Sequence, residues 1–280
     1  MSIIGLDIGA TKMTAGVLRG AGLKKVKTCQ TKAKGTTDEI LSQIFGLFDG
    51  LVNNGVKAIG VGVPGLVDEK GVVYEAVNIP AWDNMPLKKI LEKKYQIPVY
   101  VNNDANCFAL GKKYFGKGKK YNNIAGVTLG TGMGTGLIID GKLYSGTSGG
   151  AGEFGQIKYL DGVMEDYSSG KFFIKKYKIS GDEIFKLARK GDKKSLKIFD
   201  EFGYHLGKAL SIIAYAIDPE IIILGGSVSE AFKFFEKSMK KSLKESSYKK
   251  TYSRLKIAVS NNPQGALLGA AALCLLEDDR

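Results

Sequence analysis

Apolar and polar positions recur along the chain with two periods. After Thr36-x-x-Glu39, a capping-box pattern, Ile40, Leu41, Ile44, Leu47, Phe48, Leu51 and Val52 return at helical spacing. Short runs rich in β-branched residues come between such stretches: a strand at about 24–33, then "AIGVGVPG", "IPVYVN", "EIIILGG" and "LKIAVSN". Pro86 opens a helix over "PLKKILEKKY". Further helices are predicted over about 171–190, 193–216, 229–245 and 264–277, and Asp140-Gly141 predicts a hairpin in "DGKLYSG". Strands alternating with helices indicate an α/β chain.

The pattern repeats. Residues 3–20, "IIGLDIGATKMTAGVLRG", lie beside residues 124–141, "IAGVTLGTGMGTGLIIDG". Ile3, Gly5, Gly9, Thr14 and Gly20 match Ile124, Gly126, Gly130, Thr135 and Gly141, and apolar Leu6 and Ile8 match Val127 and Leu129. Each copy predicts a strand, a tight Gly/Thr turn and a second strand, so the chain reads as a duplicated α/β fold. Backbone N–H groups in such turns form anion-binding nests, and small side chains permit close approach. A nucleoside triphosphate held between two such turns is the natural ligand. The G-x-x-x-x-G-K-[ST] P-loop is absent.

Composition narrows the setting. At 280 residues, 44% hydrophobic and 25% charged, the chain has the make-up of a soluble globular protein large enough for two domains. No stretch approaches the roughly 20 apolar residues that cross a bilayer, and "MSIIGLDIG" does not read as a signal peptide. Cys29, Cys107 and Cys274 are scattered and form neither a disulfide framework nor a C-x-x-C site, which fits a reducing cytoplasm. The net charge of +13 comes mostly from lysines on wet helix faces and loops. That suits attraction of a phosphorylated small molecule better than a nucleic-acid stripe. Neither nucleic acid nor a membrane is expected as a partner.

Motifs found in order along the chain now carry a resemblance. "LDIGATKM" and "LGTGMGTG" resemble the two phosphate motifs of the actin, Hsp70 and sugar-kinase superfamily, and "IIILGGSVSE" resembles its adenosine motif. "GVGVPGLVD", "VNIPAWDNMPL", "VNNDANCFALG", "GTSGGAGEFGQI" and "MEDYSSG" are similar to pieces of the ROK family (repressors, open reading frames, kinases). The resemblance covers essentially the whole chain. It implies a two-domain actin-like, ribonuclease H-like fold with a cleft between the domains. The smaller N-terminal domain is expected over 1–108, with a C-terminal helix at 263–280 packing back on it, and the larger domain over 109–262. A homodimer and closure of the domains on sugar are also implied.

Site residues follow position by position. Asn103 is a plausible helix N-cap, which puts Asp104 in the first turn, where the macrodipole favours its ionised form. The resemblance makes Asp104 the base that takes the proton of a sugar hydroxyl. It assigns the sugar to Gly65, Asn78, Asn103, Asp104, Glu153, Gln156 and Glu165. It assigns the nucleotide to Asp7, Gly9, Thr11, Lys12, Gly130, Thr131, Gly132, Gly225 and Gly226, with Mg²⁺ on Asp7, directly or through water. A carboxylate accepts two hydroxyl protons at once, which suits Glu153 and Glu165. The family places a His at the position of Gln156 and a C-x-C-G-x-x-G-C zinc run after it. Here that run is the short "IKYLDGVM", and no zinc is expected. Tyr159, Leu160 and Met164 are expected to hold the loop by packing. His205, the one histidine, is expected to be a partly buried helix residue.

The activity implied is ATP-dependent phosphorylation of a hexose on its primary hydroxyl, as by a glucokinase or broad hexokinase. N-acetylmannosamine, N-acetylglucosamine, fructose and allose are alternative substrates. Two other classes remain in play. One is a sugar-responsive regulator, although the first phosphate motif starts at residue 3 and leaves no room for the winged helix of ROK repressors. The other is an actin-like ATPase.

Overall fold

The computed structural model describes residues 2–20, 22–76, 78–245, 249–260, 262 and 264–276. The chain divides into two compact units. The first takes in the chain up to Lys120, the segment Leu143–Ala151 and the chain from Asn262; the second takes in Tyr121–Lys142 and the chain from Gly152 to Asn261.

The first unit contains β1 Ser2–Ile8, β2 Lys12–Arg19, β3 Gly22–Gln30, α1 Thr37–Phe48, β4 Val56–Val63, the short β5 Leu66–Val67 and β6 Val73–Tyr74, α2 Leu87–Tyr95, β7 Val99–Asn103 and α3 Asp104–Phe115. Its sheet runs β3-β2-β1-β4-β7, antiparallel through the first three strands and parallel from β1 to β7. Alternation along β1 sends Ile4, Leu6 and Ile8 into one core with Ile40 and Ile44 of α1 and Leu91 of α2. Ile3 points to the other side. Helix α1 begins where expected, with both halves of the Thr36/Glu39 capping box formed.

The second unit contains β8 Ile124–Leu129, β9 Met133–Ile139, the first residue of β10 Lys142–Tyr144, a hairpin of β11 Lys158–Tyr159 and β12 Gly162–Val163, α4 Met164–Ser168, α5 Gly170–Phe172, α6 Gly181–Arg189, α7 Lys193–Ile217, β13 Ile221–Gly225, α8 Phe232–Lys244, α9 Lys249–Arg254 and β14 Lys256–Val259. The sheet order, β10-β9-β8-β13-β14, repeats that of the first unit strand for strand. Asp140 and Gly141 both take positive φ, 51° and 81°, as the two-residue hairpin requires. Phe172, Phe173, Phe199, Phe202 and Phe235 fill the core between the helices and the sheet.

The last helix, α10 Gly265–Ala272, returns to the first unit. Leu268 and Ala271 bury against Ile3, Leu18 and Ala58. Residues 263 and 277–280 of the C-terminal helix expected over 263–280 lie outside the described residues. The domain change expected at 108 falls inside α3, which stays whole in the first unit.

Three expectations need correction. The repeat slips by one residue after its turn. In the first copy Ile8 pairs with Met13 and Asp7 with Thr14; in the second Leu129 pairs with Met133 and Thr128 with Gly134. The second turn is one residue shorter, so the structural counterpart of Thr14 is Gly134, not Thr135. The helix expected over 171–190 is broken. A turn of π-helix, Phe173–Tyr177, follows α5, Lys178 takes a left-handed φ of 58°, and Ser180 caps α6 by accepting the Glu183 N–H at 3.2 Å. Leu160 does not pack. It is 69% exposed at the first turn position of the β11–β12 hairpin, with φ of 52°, whereas Met164 is 1% exposed.

Candidate active site

On the first unit, Asn103 ends β7 and caps α3. Its Oδ1 accepts the N–H groups of Ala105 at 2.8 Å and Asn106 at 3.4 Å, and its Nδ2 donates to the Gly65 carbonyl at 3.0 Å. Gly65 has φ of 120°, and a Cβ there would meet the Tyr74 carbonyl at 2.7 Å. The VPG turn and the start of α3 are thus one hydrogen-bonded unit, with Asp104 as the first helical residue. Asp104 and Asp7 share a neighbourhood: the thiol of Cys107 is pushed up by burial and then by both carboxylates. Burial pushes the Asp7 carboxyl up to about 6, against the opposing pull of Lys12. In the turn after β1, the Gly9 N–H donates to the Lys12 carbonyl at 2.9 Å, and Thr31 Oγ1 donates to the Gly9 carbonyl at 2.7 Å. Asn78 lies exposed in a turn between Ala76 and Ile79.

On the second unit, the β8–β9 turn is closed by the Gly130 N–H donating to Gly132 at 3.0 Å. Beside it stands the carboxylate of Glu165. Glu165, on α4, is 9% exposed; its Oε2 accepts the Met133 N–H at 3.2 Å, and its Oε1 accepts Gln156 Nε2 at 3.3 Å and Lys171 Nζ at 2.5 Å. A Cβ on Gly132 would meet Glu165 Oε2 at 2.6 Å, so a side chain there would have to displace the carboxylate. Glu153 precedes a turn of 3₁₀ helix, Phe154–Gln156. Its carboxyl is pushed above the usual range by burial and then by the charge of Glu165. The expected trio of Glu153, Gln156 and Glu165 is therefore brought together.

A cavity of about 200 Å³ opens beside the same turn, lined by Gly130, Thr131, Gly170 and Lys171 at one end and by Phe185, Ser227, Val228 and Ala231 elsewhere. Gly226, at φ of 83°, sits with its Cα against Leu129, where a Cβ would meet the Leu129 carbonyl at 2.4 Å. Gly225 and Gly226 end β13 and set the path of the chain, while the residues after them line the space. Lys171, Asp182 and Ser227 line it without any sequence signal having singled them out.

The hairpin that replaces the zinc run is held by rings. Tyr159 Oη lies 3.0 Å from His205 Nδ1, and the rings of Tyr159, Tyr167 and Phe172 surround the imidazole. Burial lowers the His205 pKa, partly offset by Glu201. Among the described residues no group of three or more His, Cys, Asp or Glu side chains is arranged to hold a metal ion, and no helix is long and apolar enough to cross a membrane.

The ROK family model matches residues 3–277. The chain is 32% identical over 266 residues to the glucokinase of Thermotoga maritima, covering 82% of this chain and 83% of that one. It is 27% identical to the xylose repressor of Caldicellulosiruptor bescii, covering 98% of this chain and 78% of the repressor. Among solved structures, a ROK family glucokinase from Streptomyces griseus in complex with glucose and AMPPNP superposes with a TM-score of 0.85 at 30% identity, covering 98% of this chain and 99% of that one.

Proposed function

The chain belongs to the ROK family, and from that membership we propose that it is a sugar kinase, transferring the γ-phosphoryl group of ATP to the primary hydroxyl of a hexose, with glucose the first candidate. One observation carries this beyond membership. The carboxylate of Glu165 is buried and bonds to the backbone of Met133 beside the Gly130–Gly132 turn, and Glu153, on the exposed side, lies close enough to feel its charge. Neighbouring carboxylates suit ring hydroxyls, each of which needs an acceptor when buried.

In this reading Asp104 accepts the proton of the attacking hydroxyl, helped to stay ionised by the start of α3. Asn103 and Gly65 fix the sugar against that carboxylate. In the first unit Thr11 and Lys12, and in the second the Gly130–Gly132 turn with Thr131, are suited to orienting phosphate, since phosphoryl transfer is mainly positioning and charge neutralisation. Asp7 fits a magnesium ion, because burial raises its pKa and a cation would relieve the cost of its charge. When bound, that ion would neutralise phosphate charge.

The test is ADP release across a panel of glucose, fructose, allose, mannose, N-acetylmannosamine and N-acetylglucosamine. A sugar-dependent rate with one or more of these is expected. Sugar binding without turnover would favour a regulator, in line with the similarity to a xylose repressor. Sugar-independent ATP hydrolysis would favour an actin-like ATPase.

A further inference from the structure

Glu165 Oε1 is a saturated acceptor. A carboxylate oxygen offers two lone pairs, and here the Lys171 ammonium and the Gln156 amide occupy both. The other oxygen holds the Met133 N–H. In this state Oε1 has no lone pair left for a sugar hydroxyl. The same Lys171 also lines the cavity next to Gly130 and Thr131.

The backbone around Lys171 is bolted to that turn. Ser169 Oγ lies 2.9 Å from the Thr131 carbonyl and 2.6 Å from the Glu165 carbonyl, and the Gly170 N–H donates to the Gly130 carbonyl at 2.8 Å. A Cβ on Gly170 would meet the Gly130 carbonyl at 2.8 Å. The main chain therefore keeps its register on the turn, and only the flexible side chain of Lys171 can re-aim. That side chain is 38% exposed, against 11% for Glu165.

We propose that Lys171 is a positioning residue that couples the nucleotide subsite to the sugar subsite, which rests on the sugar-kinase reading. Without nucleotide its ammonium holds Glu165. Phosphates bound at Gly130 and Thr131 carry more negative charge than one carboxylate, and a lysine ammonium follows charge as a mobile point cation. Its departure empties one lone pair on Glu165 Oε1, and a ring hydroxyl takes the place. Nucleotide thus strengthens sugar binding, and by linkage sugar strengthens nucleotide binding by the same factor.

The experiment is calorimetric titration of the panel's best sugar into the protein, with and without saturating AMPPNP and magnesium. In the wild type, AMPPNP tightens sugar binding, within the roughly 5- to 150-fold range typical of such coupling. Lys171→Met removes the ammonium but keeps a similar stem. It binds sugar alone at least as tightly as wild type, and its coupling factor falls by about fivefold or more, toward one. Lys171→Gln, which lacks the charge that draws the side chain to phosphate, couples less than wild type, and Lys171→Arg retains coupling. Wild-type coupling in Lys171→Met and Lys171→Gln, with both ligands still bound, overturns the proposal. A wild type that turns over no sugar overturns the kinase reading instead, and turnover on the panel separates the two failures.

Discussion

Asp104 owes its chemistry to its neighbours. Asn103 caps the helix, ties it to Gly65 and leaves Asp104 as the first residue of α3. In the proposed reading, replacing Asp104 by Asn keeps the shape and removes the base. Asp104→Asn should lower kcat by at least about a hundredfold while leaving sugar affinity within about twofold; steady-state kinetics at saturating sugar, with direct sugar titration, measures both. Near-normal kcat would remove Asp104 from the base role. Local signals made this residue legible, because a strand end, an Asn cap and a first-turn carboxylate are all written within "VNNDAN". Lys171 was not legible. Its importance comes from Gly130, some forty positions away, and from Glu165 on another helix, and no periodicity reports such a meeting. Leu160 misled for the opposite reason: its hydrophobicity suggested packing, but the two-residue turn of its hairpin set its direction.

At the scale of elements, α3 and α10 approach through glycine. A Cβ on Gly269 would stand 1.5 Å from the carbonyl of Cys107, one turn beyond Asp104. Gly269→Ala must push α10 off α3, an overpacking that costs about 1–3 kcal/mol. Thermal unfolding should show a drop of roughly 2–4 °C per kcal/mol, with kcat falling because α3 carries Asp104. Gly46→Ala in α1, where a Cβ meets nothing within 4 Å, is the control and should hold or raise stability. Equal melting shifts in the two variants would mean the α3–α10 contact is not tight. The β11–β12 hairpin gives a second prediction. Structural zinc sites supply folding energy directly, whereas this hairpin leans on Tyr159, Tyr167 and His205 and on Asp166, whose Oδ2 accepts the Val163 N–H at 3.3 Å. Protein purified without chelator should carry well below one zinc per chain by elemental analysis, and EDTA should leave its Tm unchanged. A stoichiometric metal would overturn that account. The break at Lys178 was not legible in the apolar spacing, because Phe172, Phe173 and Ile174 run on into the Ser180-capped helix without a glycine or proline between them.

The whole molecule repeats one sheet twice. That duplication was legible in paired glycines, because strands and turns carry their own marks; the one-residue slip was not, because Gly and Thr occur on both sides of each turn. Burial shifts Asp7 in the first unit and His205 in the second in opposite senses, while Lys112, lowered to about 8, changes charge mainly above pH 7.5. Burial raises Asp7 in the first unit from 3.8 to about 6, so the folded state binds a proton more readily than the unfolded one. Its contribution is fully present below pH 3.8 and is lost as pH rises through about 6, a loss on the order of 3 kcal/mol at 1.36 kcal/mol per unit. In the second unit burial lowers His205 below 6.5, so its contribution is present above 6.5 and is lost as pH falls through the lowered value. Between pH 7.5 and 5 the two slopes oppose each other. Asp7→Asn should therefore leave a protein that loses stability as pH falls over this range, and His205→Gln one that gains it, with wild type between them. Chemical denaturation in EDTA at three pH values measures the slopes. Parallel slopes in all three proteins would mean that neither group is as desolvated as its surroundings imply.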